Sequence, residues 1–327
     1  METRKLGRTG LSVSVLTFGC GAVGGLMTRG APADQQRAAA RAIEAGVNHF
    51  DTAPLYGDGA SEENLGRVLA ELKPDVIVST KVRLPAERNM GAIAASLETS
   101  LRRLKRNHVD LFQLHNAIGA PEGQTLSAEE VLNDVVPAFN KMREQGKTRF
   151  IGFTAIGETQ ALHTLIASGT FDAAQVPFNV LNPSPAEAIP AAYPAQDYGR
   201  ILDFAETHDV GTIGIRVLAG GALSGSETRN PLGLAVVEPI GSGGTYAADV
   251  ARARRLELIV REGHAGSLTE LAMRFAVATR KLSTTEIGLA NIDELEAALA
   301  AVEKGPLSEQ ALARLKTLQA GFIGEAR

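Results

Sequence analysis

Four side chains in this sequence have the types and spacing for proton transfer: Asp51, Tyr56, Lys81 and His115. Asp51 ends a short apolar run, and Tyr56 follows in the loop after it, beyond Pro54 and just before Gly57. A carboxylate at a strand tip and a phenol in the next loop can converge on one pocket. Phenols titrate near pH ~10, so a Tyr that gives or takes a proton calls for a nearby cation to lower that value. Lys81, ending V-I-V-S-T-K, supplies an ammonium, and Asp51 can pair with it and hold it in place. His115, ending V-D-L-F-Q-L-H, supplies an imidazole to orient an oxygen or pass the proton. Each residue alone has a plainer reading: Asp51 as a turn or helix cap, Tyr56 as an aromatic lid contact, Lys81 and His115 as polar strand ends.

The four meet only if the elements carrying them lie side by side. Residues 3–6 and 12–14 flank Gly7 and Gly10 as a small hairpin. Eight apolar runs follow, at residues 15–20, 47–51, 76–81, 109–115, 149–154, 171–176, 211–217 and 285–289. Helical patterns separate them, with Asp34, Ser61, Asn291 and Ser308 as expected caps and Asn89 opening another helix. Pro137 lies inside one pattern and predicts a kink or a broken turn. Apolar strands alternating with helices indicate a parallel sheet covered on both faces. The glycines of F-G-C-G-A-V-G-G lack the G-x-G-x-x-G spacing of a dinucleotide-binding open sheet. The pattern therefore predicts a (β/α)8 TIM barrel with a short N-terminal β-hairpin, one domain over residues 1–327. A glycine-rich loop, residues 218–248, belongs near the active site, and the site itself belongs at the C-terminal strand ends. Neighbouring strands then bring all four side chains to one mouth, where they suit protonation of a developing alkoxide while hydride arrives from a nicotinamide.

Composition narrows the class. The chain has 327 residues, 44% of them hydrophobic, and 33 basic against 37 acidic side chains, a net charge of −4. No broad basic field is present for a polyanion, so nucleic acid is not an expected partner. Cys20 is the single cysteine, which excludes an internal disulfide and a cysteine-rich metal site. His49, His108, His163, His208 and His264 lack metal-ligand spacing, so no metal is implied. The first residues lack the apolar stretch of a signal peptide, and no apolar run approaches the ~18 residues of a membrane span. A soluble cytoplasmic protein is expected.

Several blocks resemble the aldo-keto reductase superfamily in order along nearly the whole chain: L-G-R-T-G-L-S-V-S from Leu6, D-T-A-P-L-Y-G from Asp51, G-A-S-E-E-N-L-G from Gly59, V-S-T-K and L-F-Q-L-H. The resemblance implies NAD(P)H-dependent interconversion of an aldehyde, ketone or sugar with its alcohol or lactone. Tyr56 would be the general acid/base and Asp51, Lys81 and His115 would complete a tetrad. It also implies cofactor contacts at Thr154 and Gln175 for the nicotinamide carboxamide, with Ala155 where relatives carry an amide and Asn179 as a substitute contact. Arg216 stands where relatives stack an aromatic ring on the nicotinamide. Leu218, Gly220 and Leu223 would offer backbone N–H groups to the pyrophosphate. Gly288, Ala290 and Glu294 would face the adenosine end, where Asp293 and Glu294 disfavour a 2′-phosphate. Local charge thus favours NAD(H) and family habit NADP(H). Met27, Asn116, Ile118 and Tyr246 are the expected pocket walls for a small carbonyl or sugar substrate. Arg252, Arg254 and Arg255 read as a solvated helix face, or as a pyrophosphate contact if the long loop folds back. The alternatives are a nucleotide-binding regulatory or redox-sensing module on the same fold, and an aldolase or isomerase using Lys81 as a Schiff base.

Overall fold

A computed structural model describes residues 1–326. A two-stranded antiparallel hairpin, β1 (Thr3–Lys5) and β2 (Ser12–Ser14), precedes eight parallel strands. These are β3 (Leu16–Gly19), β4 (His49–Asp51), β5 (Ile77–Val82), β6 (Val109–Leu114), β7 (Thr148–Thr154), β8 (Ala173–Pro177), β9 (Gly211–Ile215) and β10 (Thr284–Gly288). They pair in sequence order, and β10 closes on β3, giving the closed barrel that the alternating pattern predicts.

Two apolar layers hold this arrangement. One lies between the outward strand faces and the helices, where Phe18, Phe50, Phe112, Phe139, Phe153 and Phe171 are buried. Burial of such side chains contributes about 1.5–3 kcal/mol each. The second fills the N-terminal end of the barrel, where Leu6, Leu11 and Val13 of the hairpin region meet Leu111, Ala173 and Ile213. Gly7 lets the hairpin dock: at φ +47, a Cβ there would lie 2.2 Å from the Gly211 nitrogen.

Above this plug the barrel interior is polar. Thr17 bonds to Thr284 at 2.7 Å and to His49 at 2.9 Å, and His49 reaches Ser79 at 2.9 Å. Ser79 Oγ then donates to Asp51 at 2.6 Å. A hydrogen-bonded chain therefore runs across the interior and ends at the carboxylate of the proposed site.

Several local expectations are corrected. The helix Pro32–Glu44 is capped by Ala31 with Pro at its first turn, so Asp34 lies inside it rather than at its cap. The helix Ala60–Leu72 begins after Gly59, and Ser61 is buried within it, donating to the Cys20 carbonyl at 2.8 Å. Met90 caps Gly91–Leu104, and Asn89 accepts from the Gly91 N–H at 3.0 Å. Asn291 and Ser308 do cap their helices. Before Pro137 the helix widens into a π turn over Val131–Val135. A proline supplies no N–H to the preceding turn, and the wider turn absorbs the mismatch that a kink would otherwise take up.

Candidate active site

Strand register places two of the four residues. Asp51 pairs with Ser79 across β4 and β5, and Lys81 pairs with Gln113 across β5 and β6. Side chains at paired positions share a face, so Asp51, Ser79, Lys81 and Gln113 all point into the barrel mouth. Asp51 and Lys81 are buried and form a direct ion pair. Asp51 also accepts from Gln113 Nε2 at 3.1 Å. Lys81 Nζ donates to the Thr52 carbonyl at 3.0 Å and to Tyr56 Oη at 3.2 Å. His115 lies one residue past β6, and its ring meets Tyr56 edge-on with centroids 5.9 Å apart. The four residues come together as expected.

The electrostatics differ from the sequence expectation. Burial is the largest influence on Tyr56 and raises its pKa; Lys81 lowers it, Asp51 and Glu286 raise it, and the net value is pushed up to about 12. Lys81 therefore offsets the cost of burial without making the phenol acidic. Tyr56 keeps its proton at neutral pH. Burial pulls Lys81 down, yet Asp51, Tyr56 and Glu286 together hold its pKa above the usual ammonium value. Lys81 is a fixed cation, which removes the free amine that a Schiff base needs. His115 is driven well below the ordinary imidazole range by burial, then by Lys81 and Arg83. It is neutral, and its buried Nδ1 has no partner among the described residues.

Beside this cluster, Thr154 and Gln175 pair across β7 and β8, and Thr154 Oγ1 donates to Gln175 Oε1 at 3.3 Å. Gln175 Nε2 donates to Glu286 Oε2 at 2.9 Å. Glu286 is a residue the sequence reading missed, although a carboxylate in the apolar context of T-T-E-I-G was a signal for it. Its acidity is strongly suppressed, by burial first and then by the nearby Asp51 carboxylate. Gly19 makes room for it, since a Cβ there would come within 3.0 Å of the Glu286 side chain.

At β9 the register sets which residue faces the barrel interior. Gln175 pairs with Ile213, and Pro177 with Ile215, so Ile215 keeps the inward face. Arg216 has left the strand at φ +57, and its Nη1 donates to the Glu238 carbonyl at 3.1 Å. Burial lowers the Arg216 pKa, and Tyr56 is near enough to act on it in the opposite sense. The segment after it, Ala219–Ser224, is a tight turn with Gly220 and Gly221 at positive φ. Within it the N–H groups of Gly221 and Leu223 both donate to the Leu218 carbonyl, so these donors are already engaged. Arg229 straps the loop down, donating to the carbonyls of Gly220 at 2.6 Å, Leu234 at 2.6 Å and Val23 at 3.2 Å.

Of the residues expected to face adenosine, Gly288 ends β10 and is exposed, whereas Ala290 is buried. Glu294 Oε2 accepts from the Ala290 N–H at 2.8 Å, so this carboxylate also braces the start of its own helix. Asn179 spends its side chain on backbone, with Nδ2 donating to the Arg216 carbonyl at 2.9 Å.

Three expected pocket walls are structural instead. Met27 and Ile118 are buried in the apolar layer behind the strands. Asn116 accepts from the Leu84 N–H at 2.8 Å and donates to the Leu84 and Gln124 carbonyls at 2.9 and 2.7 Å, so its amide is fully used in holding loops. Their polarity or loop position in the sequence could not reveal this engagement. Tyr246 begins the helix Tyr246–Arg255, and the Arg229 guanidinium lies 5.2 Å from its ring centre, beside the strapped loop. In the basic cluster on that helix, Arg254 and Arg255 are exposed, as the solvated-face reading expects, whereas Arg252 is not. Arg252 is buried and donates to Glu325 at 3.0 Å, Arg255 pairs with Glu325, and Arg254 donates to the Gly225 carbonyl at 2.8 Å. Cys20 is free and buried.

Among the described residues no group of three or more His, Cys, Asp or Glu side chains is placed to hold a metal, and no helix is long and apolar enough to cross a membrane. The model for the Aldo/keto reductase family matches residues 15–320. An L-galactose dehydrogenase of Arabidopsis thaliana is 27% identical over 318 residues, 92% of this chain and 88% of the relative. An uncharacterized oxidoreductase of Bacillus subtilis, YqkF, is 24% identical over 333 residues, 97% and 96% of the two chains. The solved aldo-keto reductase AKR11C1 from Bacillus halodurans, in its holo form, shares the fold with a TM-score of 0.72 at 23% identity, over 100% of this chain and 98% of that one. With an eight-stranded barrel, a Tyr–Lys–Asp cluster at its mouth and a family match over most of its length, this oxidoreductase belongs to the aldo/keto reductase family.

Proposed function

We propose that the protein interconverts a small polar carbonyl compound or sugar with its alcohol or lactone, using NAD(H) or NADP(H), with Tyr56 as general acid and base. The observation that carries this reading is the 3.2 Å contact between Lys81 Nζ and Tyr56 Oη, with Asp51 pinning the ammonium. The side chains present suit a nicotinamide. The Thr154 hydroxyl and Gln175 amide could meet a carboxamide, Ile215 offers an apolar inward face, and the unpartnered His115 nitrogen awaits a polar group. When bound, the nicotinamide supplies or accepts the hydride.

The protein's own residues manage the proton. Tyr56 holds it at neutral pH and gives it from Oη to the alkoxide oxygen, a far stronger base than a phenolate. The tyrosinate left behind lies against the Lys81 ammonium, whose favourable effect grows once the phenol is charged. Neutral His115 can hold the same oxygen by a hydrogen bond without competing for its proton. Arg216, within electrostatic reach of Tyr56, is the candidate to hold a further substrate oxygen or carboxylate.

The sugar class draws support from the relative that acts as an L-galactose dehydrogenase. Tyr56→Phe tests the reading. The variant is expected to bind nucleotide as the wild type does and to lose roughly 10²–10⁴-fold in turnover over a panel of aldehydes, ketones and aldoses, the usual scale for a positioned acid. Undiminished turnover would remove Tyr56 from the chemistry.

A further inference from the structure

Glu286 has no part in that proton transfer, yet it sits inside the same mouth. Its Oε2 accepts from the Gln175 amide at 2.9 Å, and the Asp51 carboxylate is near enough to act on it. Gly19, paired with Asp51 on one side and Gly288 on the other, leaves the space that its side chain fills. The barrel is plugged below by Leu6, Leu11 and Val13, so the open part of this half-buried carboxyl faces the mouth.

The charge inventory around it is small. Asp51 on β4 and Lys81 on β5 form an ion pair whose members act on Glu286 in opposite senses, Asp51 more strongly than Lys81. Tyr56 after β4 and Cys20 after β3 are both held neutral by burial, and Gln175 on β8 is uncharged. Ionised Glu286 would therefore be an uncompensated negative charge in a buried site, which agrees with the suppression of its acidity by burial and by Asp51. A nicotinamide ring changes that balance because its oxidised form is a cation and its reduced form is neutral.

We infer that Glu286 is the group by which the site distinguishes oxidised from reduced cofactor: protonated in the free protein and with the reduced ring, it releases its proton to solvent when the cationic ring binds. The inference rests on the nicotinamide-dependent reading above. Its consequence is directional. Raising the pH removes the cost of ionising Glu286, tightens binding of the oxidised cofactor, and favours the oxidative reaction. The sign follows from linkage, since a ligand that lowers a group's pKa binds more tightly as pH rises toward the free-protein value, and the gain levels off above it.

Calorimetric titration of the full-length protein with NAD+, NADH, NADP+ and NADPH, in buffers of different ionisation enthalpy, counts the protons released. The difference between oxidised and reduced members of one pair cancels any proton taken up at the adenosine phosphate. For the wild type the oxidised member should release up to about one more proton than the reduced member. Its affinity should gain about tenfold for each unit by which binding lowers the carboxyl pKa. Glu286→Gln keeps an acceptor for Gln175 but cannot ionise; it should abolish the difference in proton release and flatten the pH dependence of the oxidised-to-reduced affinity ratio. Equal proton release for both members in the wild type, or an unchanged difference in Glu286→Gln, overturns the inference. The wild-type arm alone can do so if the variant does not fold. Failure of all four nucleotides to bind would instead overturn the function proposed above.

Discussion

Replacing Lys81 by Met separates the structural from the chemical work of the central ion pair. Lys81 and Asp51 have side-chain exposures of 1% and 0%, so neither charge has water to fall back on. Without the ammonium, Asp51 keeps its bonds from Ser79 at 2.6 Å and Gln113 at 3.1 Å but loses its countercharge. An orphaned buried charge of this kind costs about 3–5 kcal/mol. The methionine fills most of the lysine's volume, which keeps a cavity term small. In a chain of this length that cost lowers Tm by roughly 4–7 °C. Adding Asp51→Asn removes the orphaned charge and leaves an amide that Ser79 and Gln113 can still satisfy, so the double variant should regain most of the loss. Turnover should not return, because Tyr56 would face burial with no cation to receive its tyrosinate. Thermal midpoints and urea midpoints of the wild type, both single variants and the double variant, with steady-state turnover on each, complete the cycle. A Lys81→Met protein as stable as the wild type, or a double variant no better than the single one, would refute the buried-pair argument. Turnover restored in the double variant would refute the role of the ammonium.

Two other outcomes follow, one from the interior and one from the surface after β10. His49 is held down to about 4 from 6.5, by burial first, so the folded state binds a proton less readily than the unfolded chain. Its contribution, about 3 kcal/mol on that shift, is complete above pH 6.5 and is lost as the pH falls toward 4. His49→Gln, which can still bond Thr17 and Ser79, should flatten the loss of urea midpoint over that range; an unchanged slope would place the acid sensitivity elsewhere. At the adenosine end, Glu294→Gln removes a negative charge while keeping an acceptor for the Ala290 N–H. NADPH should gain roughly two- to fivefold in affinity relative to NADH, the scale of one exposed charge interaction. Equal shifts for the two nucleotides would show that Glu294 does not face the 2′ position.

The sequence by itself determined the periodic features. Alternation of apolar strands with helices gave the barrel, and the rule that barrel chemistry sits at the C-terminal strand ends brought Asp51, Tyr56, Lys81 and His115 together. Both inferences rest on local pattern, which one dimension carries well. The tertiary structure decided what each polar side chain spends its bonds on. Asn116 looks like a pocket wall until its amide is found bonded to Leu84 and Gln124, and Asn179 looks like a cofactor contact until it is found bonded to the Arg216 backbone. It also decided which face is inward at the end of β9, where Ile215 keeps the barrel side and Arg216 leaves the strand at positive φ. Finally, the net pKa of Tyr56 is the outcome of a contest between burial and Lys81, and a sequence names the cation without stating the burial. Periodicity is a property of neighbours along the chain, whereas desolvation and hydrogen-bond satisfaction belong to neighbours in space, and Glu286, closing on Gln175 from 111 residues away, is visible only there.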